Sequence, residues 1–208
     1  MNKRIKFLAP AAFLLAILAG CSDNNVPKEG TQYTVVPTPT ENVDSVVEVF
    51  SLGCGHCRNM ETMLPEIKKM ADVDVQQMHV TFNKSAELAA YIYYTAAIQT
   101  NGKPSPELKE ALFGFVQDKK ADATEEENQA ALNAIFAKYG LVSPYALDDA
   151  QREKVFKMLT DSRLLETNAQ ITSVPSFLVQ GKYLVNNAEH ESLEDLANTI
   201  QYLSQKQD

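Results

Sequence analysis

The sequence predicts an α/β chain with an all-helical segment inserted into it, and three observations carry that expectation. Residues 45–50 (SVVEVF) form a nearly unbroken apolar, β-branched run, as a strand covered on both faces requires. Between residues 85 and 171 strand signals almost vanish and apolar side chains recur at helical spacing. Strands return at 176–180 and 183–186, joined through Gly181-Lys182, a hairpin turn signal.

The first twenty residues carry Lys3, Arg4 and Lys6 ahead of an apolar run over 7–20. That run is shorter than the about 20 residues of a spanning helix, so it reads as a secretory signal peptide. Leu18-Ala19-Gly20-Cys21 resembles the bacterial lipobox, which implies that Cys21 is acylated and becomes the new N-terminus. Residues 21–32 then form the lipidated cysteine and a polar tether, which reaches at most about 40 Å when extended. A short strand is expected at 33–36, stopped by Pro37 and Pro39. A helix follows from about Cys54 to Met70, with Pro65 expected to kink it, and then a strand at 75–82.

In the helical segment the apolar stripes are Leu88, Tyr91, Ile92 and Thr95, then Leu108, Leu112 and Phe115, then Leu132, Ile135, Phe136 and Tyr139. Pro104, Pro106, Gly140 and Pro144 separate them, and Thr124 with Glu127 fits a capping box. Residues 148–170 read as one long helix or a bent pair. The closing helix carries Leu193, Leu196, Ile200 and Leu203 on one face. The α/β domain is therefore made of 33–84 and 172–208, around an inserted helical domain at 85–171. At this spacing the aromatic residues of the insert are core rather than a ligand box.

Of 208 residues, 45% are hydrophobic and 22% charged, a globular balance that argues against disorder and against a polytopic membrane protein. The formal net charge of -8 repels a phosphate backbone, so nucleic acid is not an expected partner. Only three cysteines are present, Cys21, Cys54 and Cys57, too few for a disulfide-dense scaffold. Export places them where disulfides form and persist, and acylation of Cys21 leaves Cys54 and Cys57 as the two thiols.

A c-type haem site needs histidine directly after the second cysteine, and position 58 is Arg. Four-ligand zinc finds only His56, His79 and His190 beyond the pair, a poor set. A purely structural disulfide closing so small a loop contributes only about 2 kcal/mol. Redox catalysis explains the spacing better. At a helix start, positions i and i+3 bring both sulfurs to one side, with Cys54 exposed and Cys57 a turn inside. Backbone N–H groups and the helix dipole then favour a thiolate at Cys54, and His56 adds a charge or hydrogen bond to the same sulfur. A stabilised thiolate makes the disulfide form the stronger oxidant. This chemistry calls for no cofactor and no metal.

The segment VEVFSLGCGHC at 47–57 resembles the active-site segment of the DsbA family of thiol-disulfide oxidoreductases, within the thioredoxin superfamily and here as a bacterial lipoprotein. The likeness extends to QYT at 32–34, MHV at 78–80 and VPSFLVQGKY at 174–183. It implies a thioredoxin fold with an inserted all-helical domain and a redox-active disulfide between Cys54 and Cys57. It also implies a cis-proline at Pro175 against the cysteines, and backbone groups at Val174 that pair with an extended substrate. Glu48 is placed beneath Cys57 as a proton relay. Two departures stand out: Gly55-His56 where Pro-His is common, and Gln77 where a lysine commonly sits, which deprives Glu48 of its cation.

The activity so implied is donation of the disulfide to reduced exported proteins, with recharging by a DsbB-type quinone-linked membrane oxidase. The alternatives are an isomerase or reductase kept as the dithiol, and a non-catalytic peptide- or metal-binding lipoprotein. Dimeric isomerases carry a separate dimerisation domain that residues 22–32 cannot supply, so a monomer is expected. The location is periplasm-facing and anchored by lipid. Ser22 after Cys21 permits sorting to the outer membrane, whereas a short tether and the need for an electron acceptor favour the inner one.

Overall fold

The computed structural model describes residues 26–43, 45–118 and 122–207; the expected signal peptide, Cys21 and the first part of the tether lie outside them. Five strands form one sheet: β1 (Tyr33–Val35), β2 (Val46–Phe50), β3 (Gln76–His79), β4 (Ser176–Val179) and β5 (Tyr183–Val185). Their order is β1-β5-β4-β2-β3, with β3 parallel to β2 and every other pair antiparallel. Six helices accompany them: α1 (Gly55–Ala71), α2 (Lys84–Ala97), α3 (Pro106–Gln117), α4 (Glu125–Lys138), α5 (Asp149–Ala169) and α6 (Leu193–Gln205). The parallel β2–β3 pair needs a crossover, and α1 provides it. The insert, α2 to α5, leaves after β3 and returns before β4, so the architecture is a thioredoxin fold with an inserted helical domain.

Every residue of β2 is buried, as its unbroken apolar run requires. Alternation along the strand sends Val46 towards α1 and α6, where Leu64, Ile67, Leu196 and Ile200 complete a core. Val47 and Val49 point to the opposite face, covered by Leu165 and Ala169 near the end of α5. Glu48 shares its parity with Val46 and so lies on the α1 side. At the C-terminal end of β2 the chain leaves both layers. Phe50, Leu52 and Cys57 join Tyr93, Phe113 and Phe136 in the core of the helical block. Phe50 meets His79 and Tyr93 edge-on, at centroid distances of 5.1 and 4.8 Å. The inserted helices thus pack directly on the start of α1.

Several local expectations change. Residues 28–32 are not a loose tether. They form a turn with Gly30 N–H donating to Tyr33 O at 2.7 Å, and the Gln32 side chain donates to Asp195. The hairpin turns on Gln180-Gly181, not Gly181-Lys182: both have positive φ, and Lys182 N–H closes the turn on Val179 O. A Cβ at Gly181 would stand 2.1 Å from the Thr40 carbonyl oxygen, so only glycine fits there. Helix α1 runs through Pro65 to Asp72, whose left-handed conformation caps it. Helix α5 is a single element with an Asp148/Gln151 capping box, and Thr124 with Glu127 forms the expected box at α4.

The largest shift concerns α2. Its buried residues are Ala89, Ala90, Tyr93, Tyr94, Thr95, Ala96 and Ala97, so Thr95 of the expected stripe is buried whereas Leu88 is 66% exposed. The alanines let α2 approach its neighbours closely, and Tyr93 and Tyr94 fill the space between them.

Candidate active site

Helix α1 begins at Cys54, which is its N-cap in extended conformation, and the Cys54 sulfur accepts the Cys57 N–H at 3.3 Å. A sulfur in this position faces the unsatisfied amides of the first turn, where negative charge is best accommodated. Cys57 lies one turn on, with no exposure at all, while Cys54 is half-buried; both are thiols. Burial pushes the Cys57 thiol well above its ordinary pKa. The hydrogen bond with Cys54 and the charges of Cys54 and Glu48 push it the same way, against a backbone hydrogen bond from Ser51.

The approach to Cys54 is held from three sides. Leu52 N–H donates to Nε2 of His79 at 2.8 Å, while Nδ1 of the same ring donates to Val80 O at 2.7 Å, which fixes a neutral tautomer. Burial holds His79 down at about 4, so the ring stays an acceptor at ordinary pH. From α3, the Gln117 amide donates to Leu52 O at 2.7 Å. From α2, the Tyr94 hydroxyl both accepts from His79 N–H and donates to His79 O, and so satisfies the open edge of β3. Neither His79 nor Gln117 stands out in the sequence as part of the site, because a loop clamp has no local signature.

Opposite Cys54 stands the loop before β4. The Val174-Pro175 bond is cis, and Val174 O accepts a hydrogen bond from the Cys54 thiol at 3.6 Å. The Val174 carbonyl is therefore already engaged by the dithiol. A groove of about 720 Å³ opens beside it, lined by His56, Met60, Met63, Val174, Pro175 and Leu184. His56 is exposed on the rim and makes no hydrogen bond to Cys54. Of the two expected roles, a charge near that sulfur or a hydrogen bond to it, the hydrogen bond is not made, and the imidazole lines the groove.

On the other side of Cys57 the site is buried and polar. Glu48 has no exposed surface. Its Oε2 accepts from Nε2 of Gln77 at 2.7 Å, and its Oε1 has no partner among the described residues. Burial above all, together with the nearby Glu61 carboxylate, raises Glu48 to about 8, against the opposing influence of Gln77 and Lys109. Gln77 also donates to Glu61 Oε1, and its own oxygen accepts from Lys109 Nζ at 2.7 Å. Lys109 closes the ring on Glu61 Oε2 at 2.5 Å. The loss of a lysine at position 77 thus does not leave the carboxylate without a cation. The cation comes from α3, two side chains away.

Glu61 and Lys109 are the residues the sequence reading missed. Both had a signal. Glu61 stands four residues after Cys57, on the same face of α1, and Lys109 shares the face of α3 that carries Leu112 and Phe113. A charge on an apolar stripe is a buried-partner signal only once the opposing surface is known.

Comparison with known proteins agrees with this geometry. The thioredoxin family description matches residues 36–201. DsbA of Escherichia coli K12, a thiol:disulfide interchange protein, is 25% identical over 212 residues, covering 96% of this chain and 98% of that protein. DsbL of Klebsiella pneumoniae is 27% identical over 222 residues, covering 97% and 98%. Among solved structures, the disulfide oxidoreductase DsbA from Proteus mirabilis superposes with a TM-score of 0.67 at 21% identity, over 88% of this chain and all of that one. DsbL from Salmonella enterica serovar Typhimurium gives 0.68 at 19% identity, over 88% and 99%. With the sheet order, the helical insert and a cysteine pair opening α1 all in place, the chain belongs to the thioredoxin family, and over nearly its whole length it is similar to the thiol:disulfide interchange proteins DsbA and DsbL.

Proposed function

We propose that the protein works as an oxidant, donating a Cys54–Cys57 disulfide to reduced exported proteins on the periplasmic side of the membrane. The observation that carries this reading is the asymmetry of the first turn of α1. Cys54 is half-buried, adjoins the groove through Val174 and is capped by an amide, whereas Cys57 is buried beside a carboxyl group that keeps its proton up to about pH 8. A substrate thiolate attacks the Cys54 sulfur, the S–S bond breaks, and its electron pair leaves on Cys57. Glu48 supplies the proton that neutralises the Cys57 thiolate. A second substrate thiolate then attacks the substrate sulfur of the mixed disulfide, and Cys54 leaves as the thiolate facing the helix amides. The substrate loses two electrons and the enzyme becomes the dithiol.

The substrate chain lies in the groove against Val174 and Pro175, pairing with backbone once Cys54 no longer engages the Val174 carbonyl. His56 meets the incoming chain at the rim. Regeneration passes the two electrons to a quinone-linked membrane oxidase of the DsbB type. Acylation at Cys21 holds the enzyme to the membrane as a monomer. Because residues 28–32 are folded onto the domain, the span from Cys21 to Pro27 reaches only about 20 Å. That short reach favours the inner membrane, next to the electron acceptor. No helix among the described residues is long and apolar enough to cross a membrane.

The test is the in-cell thiol state together with two variants. Acid trapping and alkylation should find Cys54 and Cys57 mainly oxidised. Cys57→Ser should accumulate substrates linked through Cys54 on non-reducing gels, and Cys54→Ser should accumulate none. A pair found as the dithiol in cells would overturn the oxidant role in favour of a reductase or isomerase.

A further inference from the structure

The ring beneath Cys57 crosses the boundary between the two halves of the molecule. Gln77 and Glu48 belong to the sheet and Glu61 to α1, but Lys109 belongs to the insert. The Gln77 amide is oriented by what it touches. Its NH₂ group donates to two carboxylates, Glu48 and Glu61, and its oxygen accepts from the Lys109 ammonium. An amide cannot satisfy both carboxylates unless its oxygen is turned away, and Lys109 is the group that holds the oxygen there. The Lys109 and Glu61 side chains are only 9% and 14% exposed, so this charge pair is little screened by solvent. Around Glu48, α1 contributes Cys57 and Glu61, β3 contributes Gln77, α2 contributes Tyr93 and α3 contributes Lys109. On β4 the residue paired with Glu48 is the uncharged Phe177. Lys109 is thus the single cation acting on the cluster among the described residues.

We infer that Lys109 is a positioning residue through which the helical insert governs when Glu48 holds its proton, acting by way of Gln77 and Glu61. This role presupposes that Glu48 serves Cys57 as a proton store. With Lys109 in place, Glu61 is neutralised and Gln77 points its donors inward, and both effects favour the ionised form of Glu48. Without it, Glu61 is an uncompensated charge facing Glu48, and the Gln77 amide loses the partner that orients it. A cleft of about 230 Å³ lined by Glu61, Pro65, Gln77, Pro104 and Lys109 runs between α1 and the start of α3. Any widening of it would separate Lys109 from the ring, so the position of the insert is coupled to the protonation of Glu48.

The experiment follows the carboxyl ¹³C resonance of Glu48 against pH in the reduced full chain. Lys109→Met should raise the midpoint by about one pH unit, the lower end of what a charge partner contributes. Lys109→Arg, which keeps the charge, should stay near the parent. Lys103→Met, which removes an exposed cation at the same cleft, should leave the midpoint unchanged. Gln77→Lys combined with Lys109→Met puts a cation back on β3 and should bring the midpoint down again. If Lys109→Met loses its cooperative thermal transition, Lys109→Gln, which retains a donor for Glu61, provides the same reading. An unmoved midpoint in whichever of these folds overturns the inference. The midpoint does not depend on the direction of electron flow. A parent enzyme that transfers no disulfide in a refolding assay would therefore sink the oxidant role and leave this comparison standing.

Discussion

The two sides of the first turn of α1 are built on opposite principles. On the groove side, Cys54 is half-buried, one hydrogen bond reaches it from the helix and one leaves it for Val174, which lines the groove together with His56. On the inner side, Cys57 is sealed among Phe50, Leu52 and the insert, with a carboxyl group, an amide, a second carboxylate and a lysine behind it. Two sulfurs three residues apart thus sit in different dielectric surroundings. The physical lesson is that one helix turn is enough to give two sulfurs different surroundings, because burial desolvates the inner one.

The sharpest way to break this comparison is chemical labelling. In the reduced native protein at pH 8, iodoacetamide should modify Cys54 about a hundredfold faster than Cys57, because Cys54 is accessible whereas Cys57 is fully buried and its thiol is pushed up. In denaturant the two should react alike. Comparable native rates, read by mass spectrometry of the peptides, would remove the asymmetry on which the oxidant reading stands.

A second measurement addresses the inner side through stability. Glu48 titrates near 8 when folded and near 4.5 as the free side chain, so between these values the folded chain holds a proton that the unfolded chain has released. Stability from this group is therefore lost as pH rises through that window. His79 acts with the opposite sign: it titrates near 4 when folded and near 6.5 when free, so its contribution grows as pH rises from 4 to 6.5. The two should largely cancel between 4.5 and 6.5. Above 6.5 Glu48 acts alone, and urea unfolding should show a loss of about 2 kcal/mol by pH 8. In Glu48→Gln that alkaline fall should vanish. A parent protein equally stable at pH 6.5 and 8 would mean that Glu48 is not desolvated as described.

The smallest expected effect lies at the rim. Arg58 follows Cys57 directly and bridges α1 to the end of α3 through Glu110 at 2.5 Å and Asp118 at 2.9 Å, yet the acids are 59% and 61% exposed. Arg58→Ala should cost under about 1 kcal/mol and lose even that in high salt. A larger, salt-independent loss would show that the rim straps the insert in place as firmly as the buried Lys109–Glu61 pair.

The order of elements was legible in the sequence because each rests on local signals: the β-branched run of β2, the capping box of α4, the apolar stripe of α6, and the punctuation by proline and glycine. The cysteine pair at a helix start was legible for the same reason, since three residues and one helix turn fix the geometry. Other features were not. Leu88 belongs to the better apolar stripe of α2, yet Ala89, Ala90, Tyr93, Tyr94 and Ala97 are what pack, because the surfaces that α2 meets lie on that other face. Gln77 looked like a missing charge from its own strand.

By itself, then, the sequence determined the fold class, the cysteine pair and the buried strand that carries Glu48, while the cis-proline was implied by the family resemblance. Tertiary structure alone decided the rest: that His56 turns to the groove, that His79 and Gln117 clamp the loop before Cys54, and that Lys109 supplies the cation. These contacts join residues 27 to 65 positions apart, across three or four elements. Sequence patterns encode what one helix or strand does with its own neighbours. The charge at position 109 meets the carboxylate at position 61 only because two helices happen to be packed a few ångströms apart, and no local pattern contains that distance.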